Sequence, residues 1–589
     1  MNLDAWITLA VVVATVVVLA RELVPPALAV LGATVLLLVV GVIDSEQAFS
    51  GFSNEAPITV AALFVLARAV ELSGILQPVV QRFMGEASTL RGQLARIALP
   101  VAGASAFLNN TPLVAMTVPP VVQWAKRRKL PASRFLIPVS YAAVLGGAVT
   151  AIGTSTNLVV SGLLTETGMA PLGLFELVPV GLPIAVAGCG AIALLAGRLL
   201  PDRRAMHERF GDSLRNYSVS MQVVQGGPLE GCSIEAGGLR HLRSVYCVQV
   251  SRNGHAIAPV APSEVLSGGD VLTFVGRVDE VVDLQRQRGL VSTEQRHLEA
   301  LQGNGHVFFE AVVGDSSQLA GRTLKEVGFR GRYQGAVLAI HRAGQRVDAK
   351  LGEVPLRLGD TLLILADPGF RDRWRDSGDF LLIARMGSEP PAQSRKAPLV
   401  AGIALLMVLL AGTGVVPILH ASLAAAGLLL AVGALSVRQA RAAVDLDVIV
   451  VIAAAFGLGA AVTTSGLGDR VAGLLLGVFE PFGLVGALAG VLLAAMALTE
   501  LISNNAAAVL LFPVAMSTAA ALGVDPRPFA IAVTMGASLS FLTPIGYQTN
   551  LMVYGLGGYR FSDYSRLGVP LDLIVIAGCL LLIPRAFPF

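Results

Sequence analysis

The chain has 589 residues, of which 54% are hydrophobic and only 14% are charged, with a mean hydropathy of +0.70 and a formal net charge of +3. Soluble domains carry about 25% charged residues, so this composition excludes an ordinary soluble protein, and the small net charge does not favour a nucleic-acid partner. The cysteines lack the spacing of a disulfide framework or a zinc site.

Charge divides the chain into two apolar parts and a polar insert. Residues 1–200 and 397–589 are largely apolar and predict two membrane transport repeats. Charge rises between them, and we predict two modules in this insert, at 207–295 and 297–390.

Apolar runs of about 20 residues are long enough to cross the hydrocarbon core of a bilayer. In chain order they predict spans at 5–23, 27–43, 56–76, 134–162, 176–199, 398–415, 418–436, 447–466, 527–556 and 569–587. Two further apolar stretches, 93–123 and 482–523, are too long for one span and carry polar residues halfway. These two stretches predict re-entrant hairpins.

Polar motifs recur at matching places in the two halves. Asn109-Asn110 lies in the middle of the first long stretch, and Asn504-Asn505 follows 395 residues later in the second. A polar break follows each pair, Gly-Thr-Ser-Thr-Asn at 153–157 and Thr-Pro-Ile-Gly-Tyr-Gln-Thr-Asn at 543–550, and the final asparagines are 393 residues apart. Amides, hydroxyls and helix breakers repeated inside apolar segments predict the substrate and ion sites of a duplicated transporter.

The flanking charges predict that the halves have opposite orientations. The first hairpin is followed by the basic cluster 126–129, which places its ends in the cytoplasm, whereas Glu480 and Asp525 flank the second without a dense basic cluster. We therefore predict a polytopic α-helical membrane protein built as an inverted repeat with two re-entrant hairpins and broken helices. Exposed backbone at membrane depth is tolerated only where it lines a protein cavity.

The insert is itself repetitive. Ser-Gly-Gly-Asp-Val-Leu at 267–272 recurs as Arg-Leu-Gly-Asp-Thr-Leu at 357–362, a register of 90 residues. Alternating apolar residues, an Arg-x-Gly hairpin turn and a Gly-Asp pair before a final strand predict two tandem α+β modules. Two interpretations remain open: a folded cytoplasmic spacer that aids dimerisation, or a regulator that binds a small molecule.

Helix ends at mid-membrane suit an anionic substrate. Each helix N-terminus carries about half a positive charge and free N–H groups, while asparagine and threonine add donors and exposed carbonyls coordinate sodium. Glu500 is an acid deep in the second hairpin, so it is either a proton or cation site or the partner of a local donor. Arg68 and Glu71 are three residues apart on one predicted helix and are expected to pair.

The motifs at 107–112, 502–508 and 544–555 resemble those of the divalent anion/sodium symporter family, which contains the sodium–sulfate and sodium–dicarboxylate carriers of the ion-transporter superfamily. The insert resembles tandem TrkA-C/RCK-C modules, the C-terminal regulatory modules of bacterial potassium transport and channel subunits. The resemblance implies a homodimer with scaffold and transport domains and an elevator motion of the domain that bears the hairpins.

The hallmark of that family is Ser-Asn-Thr at each hairpin tip. Asn109-Asn110-Thr111 and Ser503-Asn504-Asn505 match it with one substitution each. The implied sodium ligands are Asn109, Asn110, Gly153, Ser503, Asn504, Thr543 and Gly546. The implied substrate-binding residues are Asn110, Thr111, Thr154, Ser155, Thr156, Asn157, Asn504, Asn505, Thr543, Pro544, Thr549 and Asn550.

The function expected from these features is sodium-coupled symport of a small divalent anion, with sulfate favoured over a C4-dicarboxylate. Cation/proton antiport or metalloid export, both found in the same superfamily, and ligand sensing are the alternatives. The chain lacks a nucleophile–base pair, a metal-ligand spacing and a phosphate loop, so we do not expect an enzyme. We expect a multi-pass protein of the bacterial inner membrane, with a cytoplasmic insert.

Overall fold

The computed structural model divides the chain into two compact units. The membrane unit comprises Met1–Asp202, Pro390–Val553 and Arg560–Phe589, and the insert unit comprises Arg203–Glu389 with Tyr554–Tyr559. The described residues are 2–21, 24–75, 89–128, 130–202, 218–239, 245–252, 255–257, 260–276, 289–292, 307–314, 317–342, 345–347, 349, 351–374, 377–385 and 396–589. The predicted module boundaries at 207, 295, 297 and 390, and Lys129 of the basic cluster, lie outside these residues.

The first half of the membrane unit is helical. Its described helices are α1 (Leu3–Ala20), α2 (Pro26–Val40), α3 (Ser45–Ser53), α4 (Glu55–Ser73), α5 (Leu90–Ser105), α6 (Asn110–Arg127), α7 (Leu136–Gly147), α8 (Ser155–Glu166) and α9 (Val178–Leu199). The predicted span 134–162 is two helices, interrupted by the polar break that the sequence predicts. Helix α3 is not predicted; it is short and begins with a capping box between Asp44 and Gln47. On α4, Arg68 and Glu71 form the expected ion pair.

The insert unit contains two five-stranded antiparallel sheets with the same topology. The first contains β1 (Ser218–Val223), β2 (Val245–Arg252), β3 (His255–Ile257), β4 (Val271–Gly276) and β5 (Leu290–Ser292) in the order β3-β2-β4-β1-β5. The second contains β6 (Val307–Val313), β7 (Gly335–Arg342), β8 (Gln345–Arg346), β9 (Thr361–Ala366) and β10 (Phe380–Arg385) in the equivalent order β8-β7-β9-β6-β10. Two short helices, α10 (Phe329–Tyr333) and α11 (Phe370–Trp374), accompany the second sheet.

The hairpins predicted at the two Arg-x-Gly motifs are confirmed, because β2 pairs with β3 and β7 pairs with β8. The turn residues 253–254 and 343–344 lie outside the described residues. The Gly-Asp pairs precede β4 and β9, with Gly269 and Gly359 in the left-handed region at φ 90° and 77°. The sequence predicts that these strands are the last of each module. This prediction is wrong, because β5 follows β4 and β10 follows β9.

An arginine–aspartate pair locks each sheet in the same way. Arg252 donates to both carboxylate oxygens of Asp270 at 2.9 and 2.7 Å, and Arg342 donates to Asp360 at the same two distances. Both aspartates are buried. Hydrogen bonds to these aspartates raise the pKa of each arginine above its ordinary value, so both guanidinium groups remain charged at physiological pH.

The second half of the membrane unit is helical like the first. Its helices are α12 (Ala397–Gly412), α13 (Ile418–Ala431), α14 (Val437–Ala443), α15 (Leu446–Thr464), α16 (Leu467–Phe479), α17 (Gly483–Thr499), α18 (Asn504–Leu522), α19 (Arg527–Ser538), α20 (Gln548–Leu556) and α21 (Phe561–Ala586). The predicted span 527–556 is again two helices. Helices α14 and α16 are not predicted, and α21 begins eight residues before the predicted 569.

Two ion pairs place the starts of α7 and α19 at opposite ends of one helix. Arg134, just before α7, pairs with Asp202, which follows the C-terminus of α9. Arg527, at the start of α19, donates to both carboxylate oxygens of Glu176, which precedes the N-terminus of α9. Because α9 has 22 residues, these two ends are about 33 Å apart.

Several described helices are long and apolar enough to cross a membrane. Within the described residues they are Ser45–Ser73, Val178–Leu199, Leu446–Thr464, Asn504–Leu522 and Phe561–Ala586. Five shorter apolar helices accompany them: Leu3–Leu19, Pro26–Val40, Ala397–Gly412, Ile418–Ala431 and Gly483–Thr499. Both hairpin stretches are helix pairs, α5–α6 and α17–α18, each joined by four residues at its tip.

We predict that Arg342→Ala destabilises the second sheet of the insert by about 3 kcal/mol, because it leaves the buried Asp360 carboxylate without its partner. The measurement is the rate of limited proteolysis of the insert in the full-length protein at increasing urea concentration. Arg252→Ala should weaken the first sheet by a similar amount. The exposed Arg322→Ala is the control and should change stability by less than about 0.5 kcal/mol; equal effects of Arg342→Ala and Arg322→Ala would contradict the prediction.

Candidate functional site

The two hairpin tips contain the same hydrogen bond. Asn110 accepts a hydrogen bond at Oδ1 from Ser105 Oγ at 2.5 Å, and Asn504 accepts one at Oδ1 from Thr499 Oγ1 at 2.8 Å. The asparagine is the first residue of the second helix in each hairpin, and the two are 394 residues apart. Asn110 is therefore the structural counterpart of Asn504, as in the alignment on Ser-Asn-Thr, whereas the spacing that pairs Asn109 with Asn504 is off by one position.

The two helix breaks are held closed by equivalent asparagines. Asn157 donates from Nδ2 to the carbonyl of Thr150 at 2.8 Å, and Asn550 donates from Nδ2 to the carbonyl of Thr543 at 3.2 Å. Both asparagines are fully buried. Each thus binds the backbone seven residues earlier, across its own break.

The same two asparagines also contact the opposite half. Asn157 Oδ1 accepts from Ser538 Oγ at 3.1 Å, and Asn550 Oδ1 accepts from Ser140 Oγ at 2.7 Å. The hydroxyl of Thr549 is also hydrogen-bonded to that of Ser140, with 2.9 Å between Oγ1 and Oγ. The structure therefore uses these three predicted substrate-binding residues to join the halves through hydrogen bonds between their side chains and serine hydroxyls.

Tyr547 connects both hairpin tips to a helix break. Its hydroxyl accepts from Asn110 Nδ2 at 2.5 Å, lies 3.2 Å from Thr154 Oγ1, and interacts electrostatically with the side chain of Asn504. The tyrosine is only 9% exposed. Sequence reasoning missed it, although it stands inside the second break, Pro-Ile-Gly-Tyr-Gln-Thr-Asn.

The third residue of each tip contacts the opposite break. Asn505 Oδ1 accepts from Ser155 Oγ at 3.2 Å and from Thr156 Oγ1 at 3.1 Å. Reciprocally, Gln548 Oε1 accepts from Thr111 Oγ1 at 3.3 Å. Both tips and both breaks therefore meet in one region, as the sequence predicts for a binding site.

Four helix N-termini converge at these contacts. Helices α6, α8, α18 and α20 begin at Asn110, Ser155, Asn504 and Gln548. The N-cap residues of α8 and α18, Thr154 and Ser503, make no side-chain capping hydrogen bond. Uncapped N–H groups and the positive ends of helix dipoles together favour an anion, so the geometry suits an anionic ligand.

A small open cavity adjoins the first tip. It is lined by Val60, Leu63, Phe64, Leu66, Ala67, Phe107, Leu108, Asn109, Ile152, Ser155 and Leu158. Asn109 and Ser155 provide its polar side chains. The apolar wall of α4 closes one side of this cavity.

Glycine allows the backbone to approach closely at the first tip. A Cβ atom on Gly147 would lie 2.6 Å from Asn110 Oδ1, and one on Gly153 would lie 2.9 Å from the carbonyl oxygen of Ser105. Gly153, predicted near the first sodium ion, thus packs directly against the end of α5.

The remaining predicted residues lie at the second tip and break. Thr543 Oγ1 accepts from the Gly546 N–H at 3.0 Å and donates to Glu500, whereas Pro544 is buried beside them. Ser503 is exposed at the tip. Within the described residues no group of three or more His, Cys, Asp or Glu side chains could hold a metal ion.

Comparison with known proteins identifies relatives over nearly the whole chain. A family model described as "Citrate transporter" matches residues 15–536. The chain is 36% identical to a "Putative sulfur deprivation response regulator" of Chlamydomonas reinhardtii, over 92% of the chain and 95% of the relative. It is 33% identical to an uncharacterized transporter of Synechocystis sp., over 98% and 96%. It is 24% identical to "Sodium/sulfate cotransporter 1" of Chlamydomonas reinhardtii, over 93% and 86%.

We predict that Gly147→Ala lowers the stability of the membrane unit by about 1–3 kcal/mol, because the added methyl group displaces the Asn110 amide from its two partners. The measurement is the thermal unfolding midpoint of the purified protein in detergent. Gly103→Ala is the matched control: Gly103 lies in α5 with open space around its Cα, so the change should be neutral or stabilise by up to about 1 kcal/mol. An unchanged midpoint for Gly147→Ala would show that the tip is not packed as described.

Proposed function

Because the chain belongs to the citrate-transporter family, we propose that it is a sodium-coupled symporter of a small divalent anion, with sulfate favoured. The family and two of the three relatives named above are described as transporters, and the apolar helices fit a multi-pass membrane protein. The resemblance of the hairpin motifs to those of anion/sodium symporters is confirmed by these matches. An enzymatic function has no support in the family.

The observation that carries the proposal is the convergence of four helix N-termini with amide and hydroxyl side chains. A divalent oxyanion accepts hydrogen bonds from several directions, and uncapped N–H groups supply them without the cost of a buried lysine or arginine. Thr111, Ser155 and Asn505 lie at the start of these helices and would discriminate among anions. Sulfate is favoured because two of the relatives carry sulfur or sulfate in their names.

Sodium ions would bind beside the two tips. Sodium prefers oxygen ligands, and Asn109, Asn110 and the backbone around Gly153 offer them at the first tip. At the second tip the corresponding group is Ser503, Asn504, Thr543 and Gly546. Sodium is here a transported ion, and its gradient would drive uptake of the anion.

We further propose an inverted repeat that moves as an elevator. The ion pairs of Arg134 and Arg527 at opposite ends of α9 support the inversion. Each hairpin tip contacts the break of the other half, which supports movement of tips and breaks as a single transport domain. The rest of the membrane unit would then be the scaffold, in a homodimer.

For the insert we propose a regulatory role on the cytoplasmic side of a bacterial inner membrane. The equal topology of its sheets and the 90-residue register support two tandem TrkA-C-like modules. Modules of this kind would bind a small molecule or stabilise the dimer. Their removal would then change regulation and leave the transport chemistry intact.

The proposal predicts sodium-stimulated uptake of labelled sulfate into proteoliposomes. An inward sodium gradient should increase the initial rate at least about tenfold over an equal gradient of choline, because the ion gradient supplies the driving force. Equal uptake with both cations would overturn sodium coupling. Proton movement without any anion would instead favour cation/proton antiport.

Asn110→Ala and Asn504→Ala should each lower sodium-driven uptake by about 100-fold, because each removes the amide that holds its tip, through Ser105 and Tyr547 in the first hairpin and through Thr499 in the second. The folded state is checked by size-exclusion chromatography and the thermal unfolding midpoint. Gly103→Ala, in an arm of the first hairpin, is the control and should transport like the wild type. Wild-type uptake by either asparagine variant would remove the tips from the site.

Competition identifies the anion. If sulfate is the substrate, unlabelled thiosulfate should inhibit labelled sulfate uptake at concentrations about tenfold below those of succinate or citrate. The reason is that the region where the hairpin tips and helix breaks meet presents hydrogen-bond donors for one compact dianion. Stronger inhibition by succinate would assign the site to C4-dicarboxylates, and stronger inhibition by citrate to tricarboxylates.

A further inference from the structure

Glu500 braces the second helix break from the tip of the second hairpin. Its Oε1 accepts from Ser540 Oγ at 2.9 Å and from the backbone N–H of Leu542 at 2.9 Å, and its Oε2 accepts from Thr543 Oγ1 at 2.7 Å. All three donors belong to the segment between α19 and α20. One carboxylate therefore fixes the backbone next to the proposed second sodium site.

Glycine makes this arrangement possible. A Cβ atom on Gly546 would lie 2.7 Å from Glu500 Oε2, so only glycine allows the backbone to pass the carboxylate. The Gly546 N–H donates to Thr543 Oγ1, which itself donates to Glu500. The break is thus closed by a short chain of hydrogen bonds that ends on a charged group.

The first half has the same arrangement without the charge. Ala106 stands 394 residues before Glu500, at the equivalent place in its tip. The hydroxyl of Thr150, the counterpart of Thr543, donates to the backbone carbonyl of Ala106. A neutral acceptor in the first half is therefore replaced by a carboxylate in the second.

A second buried carboxylate interacts with the first. Asp572 on α21 interacts electrostatically with Glu500. It is only 7% exposed, and its Oδ1 is buried without a hydrogen-bond partner. Two acids close together in an apolar region are costly unless a cation compensates them.

We propose that Glu500, supported by Asp572, gives the second cation site a negative charge that the first site lacks, so that the second site binds sodium more tightly and fills first. Glu500 acts as a positioning residue for the break and as the source of the charge. This inference rests on the proposed sodium coupling and adds an order of binding to it. The first site, which has only neutral oxygens, would be completed later.

The test uses sodium binding, read as stabilisation of the full-length protein in detergent. The thermal unfolding midpoint is measured against sodium concentration, with choline keeping the ionic strength constant. Glu500→Gln retains size and acceptor oxygen but removes the charge, so the sodium concentration for half-maximal stabilisation should rise at least about tenfold. A rise of less than about twofold overturns the inference.

Glu176→Gln is the matched control. It removes a carboxylate from the ion pair with Arg527, so the unfolding midpoint without sodium should fall while the half-saturating sodium concentration stays within about twofold of the wild type. If Glu500→Gln does not fold, Asp572→Asn provides the second test, because Asp572 Oδ1 makes no hydrogen bond that the substitution could break. In Asp572→Asn the half-saturating sodium concentration should rise at least about threefold. An unchanged value overturns the inference.

Sodium-driven uptake separates the charge effect from a loss of structure. In Glu500→Gln the sodium concentration for half-maximal uptake should rise by about the same factor as in the binding measurement, while the KM for the anion at saturating sodium stays within about twofold of the wild type. A rise in the anion KM with unchanged sodium dependence would overturn the inference. A wild-type protein that sodium does not stabilise would instead refute the proposed coupling itself.

Discussion

The hydroxyl of Tyr547 is the contact on which the centre of the membrane unit depends. It is hydrogen-bonded to Asn110 of the first tip, lies 3.2 Å from Thr154 Oγ1 of the first break, and interacts electrostatically with Asn504 of the second tip, in buried surroundings. A buried polar group that loses its partner costs about 1–3 kcal/mol, so the groups around this hydroxyl hold one another in place. Neither tip can move away from the breaks without leaving several of them unsatisfied.

The region where the hairpin tips and helix breaks meet also has an unfavourable electrostatic energy that a bound anion can offset. Four helix N-termini carry positive partial charge, and bringing them together is unfavourable unless negative groups lie nearby. The side-chain oxygens of Asn505 and Gln548 accept hydrogen bonds from the opposite half and compensate part of that charge. An anion would compensate the rest. Binding would therefore tighten the same contacts that join the halves, which links occupancy of the site to the rigidity of the group of elements that would move.

The sequence predicts the hairpins and breaks because polar residues and helix breakers are costly inside apolar runs unless they line a site or a cavity. It does not predict Tyr547, since a tyrosine in such a run is equally consistent with ordinary packing, and only the fold brings it to both tips. Direct alignment of the two Asn-Asn pairs places the halves one residue out of register. The reason is that Asn109 stands at the first position of the Ser-Asn-Thr motif, whereas Asn505 stands at the third. Helix α16 is missed because Asp469 and Arg470 interrupt its apolar pattern. The sequence predicts Asn157 and Asn550 as substrate-binding residues, and in the structure their side chains donate to the backbone across each break.

The two duplications in the chain differ in what they have retained. In the insert, the arginine–aspartate pairs agree in partners and distances after 90 residues, as expected where the pair serves the fold alone. In the membrane unit, the bonds of Asn110 and Asn157 recur at Asn504 and Asn550, but the acceptor at Ala106 has become the carboxylate of Glu500. A charge placed in an apolar region without a structural need destabilises the fold, and the neutral version in the first half shows that the break closes without it. The charge therefore points to a cation that the second half binds and the first half binds less strongly.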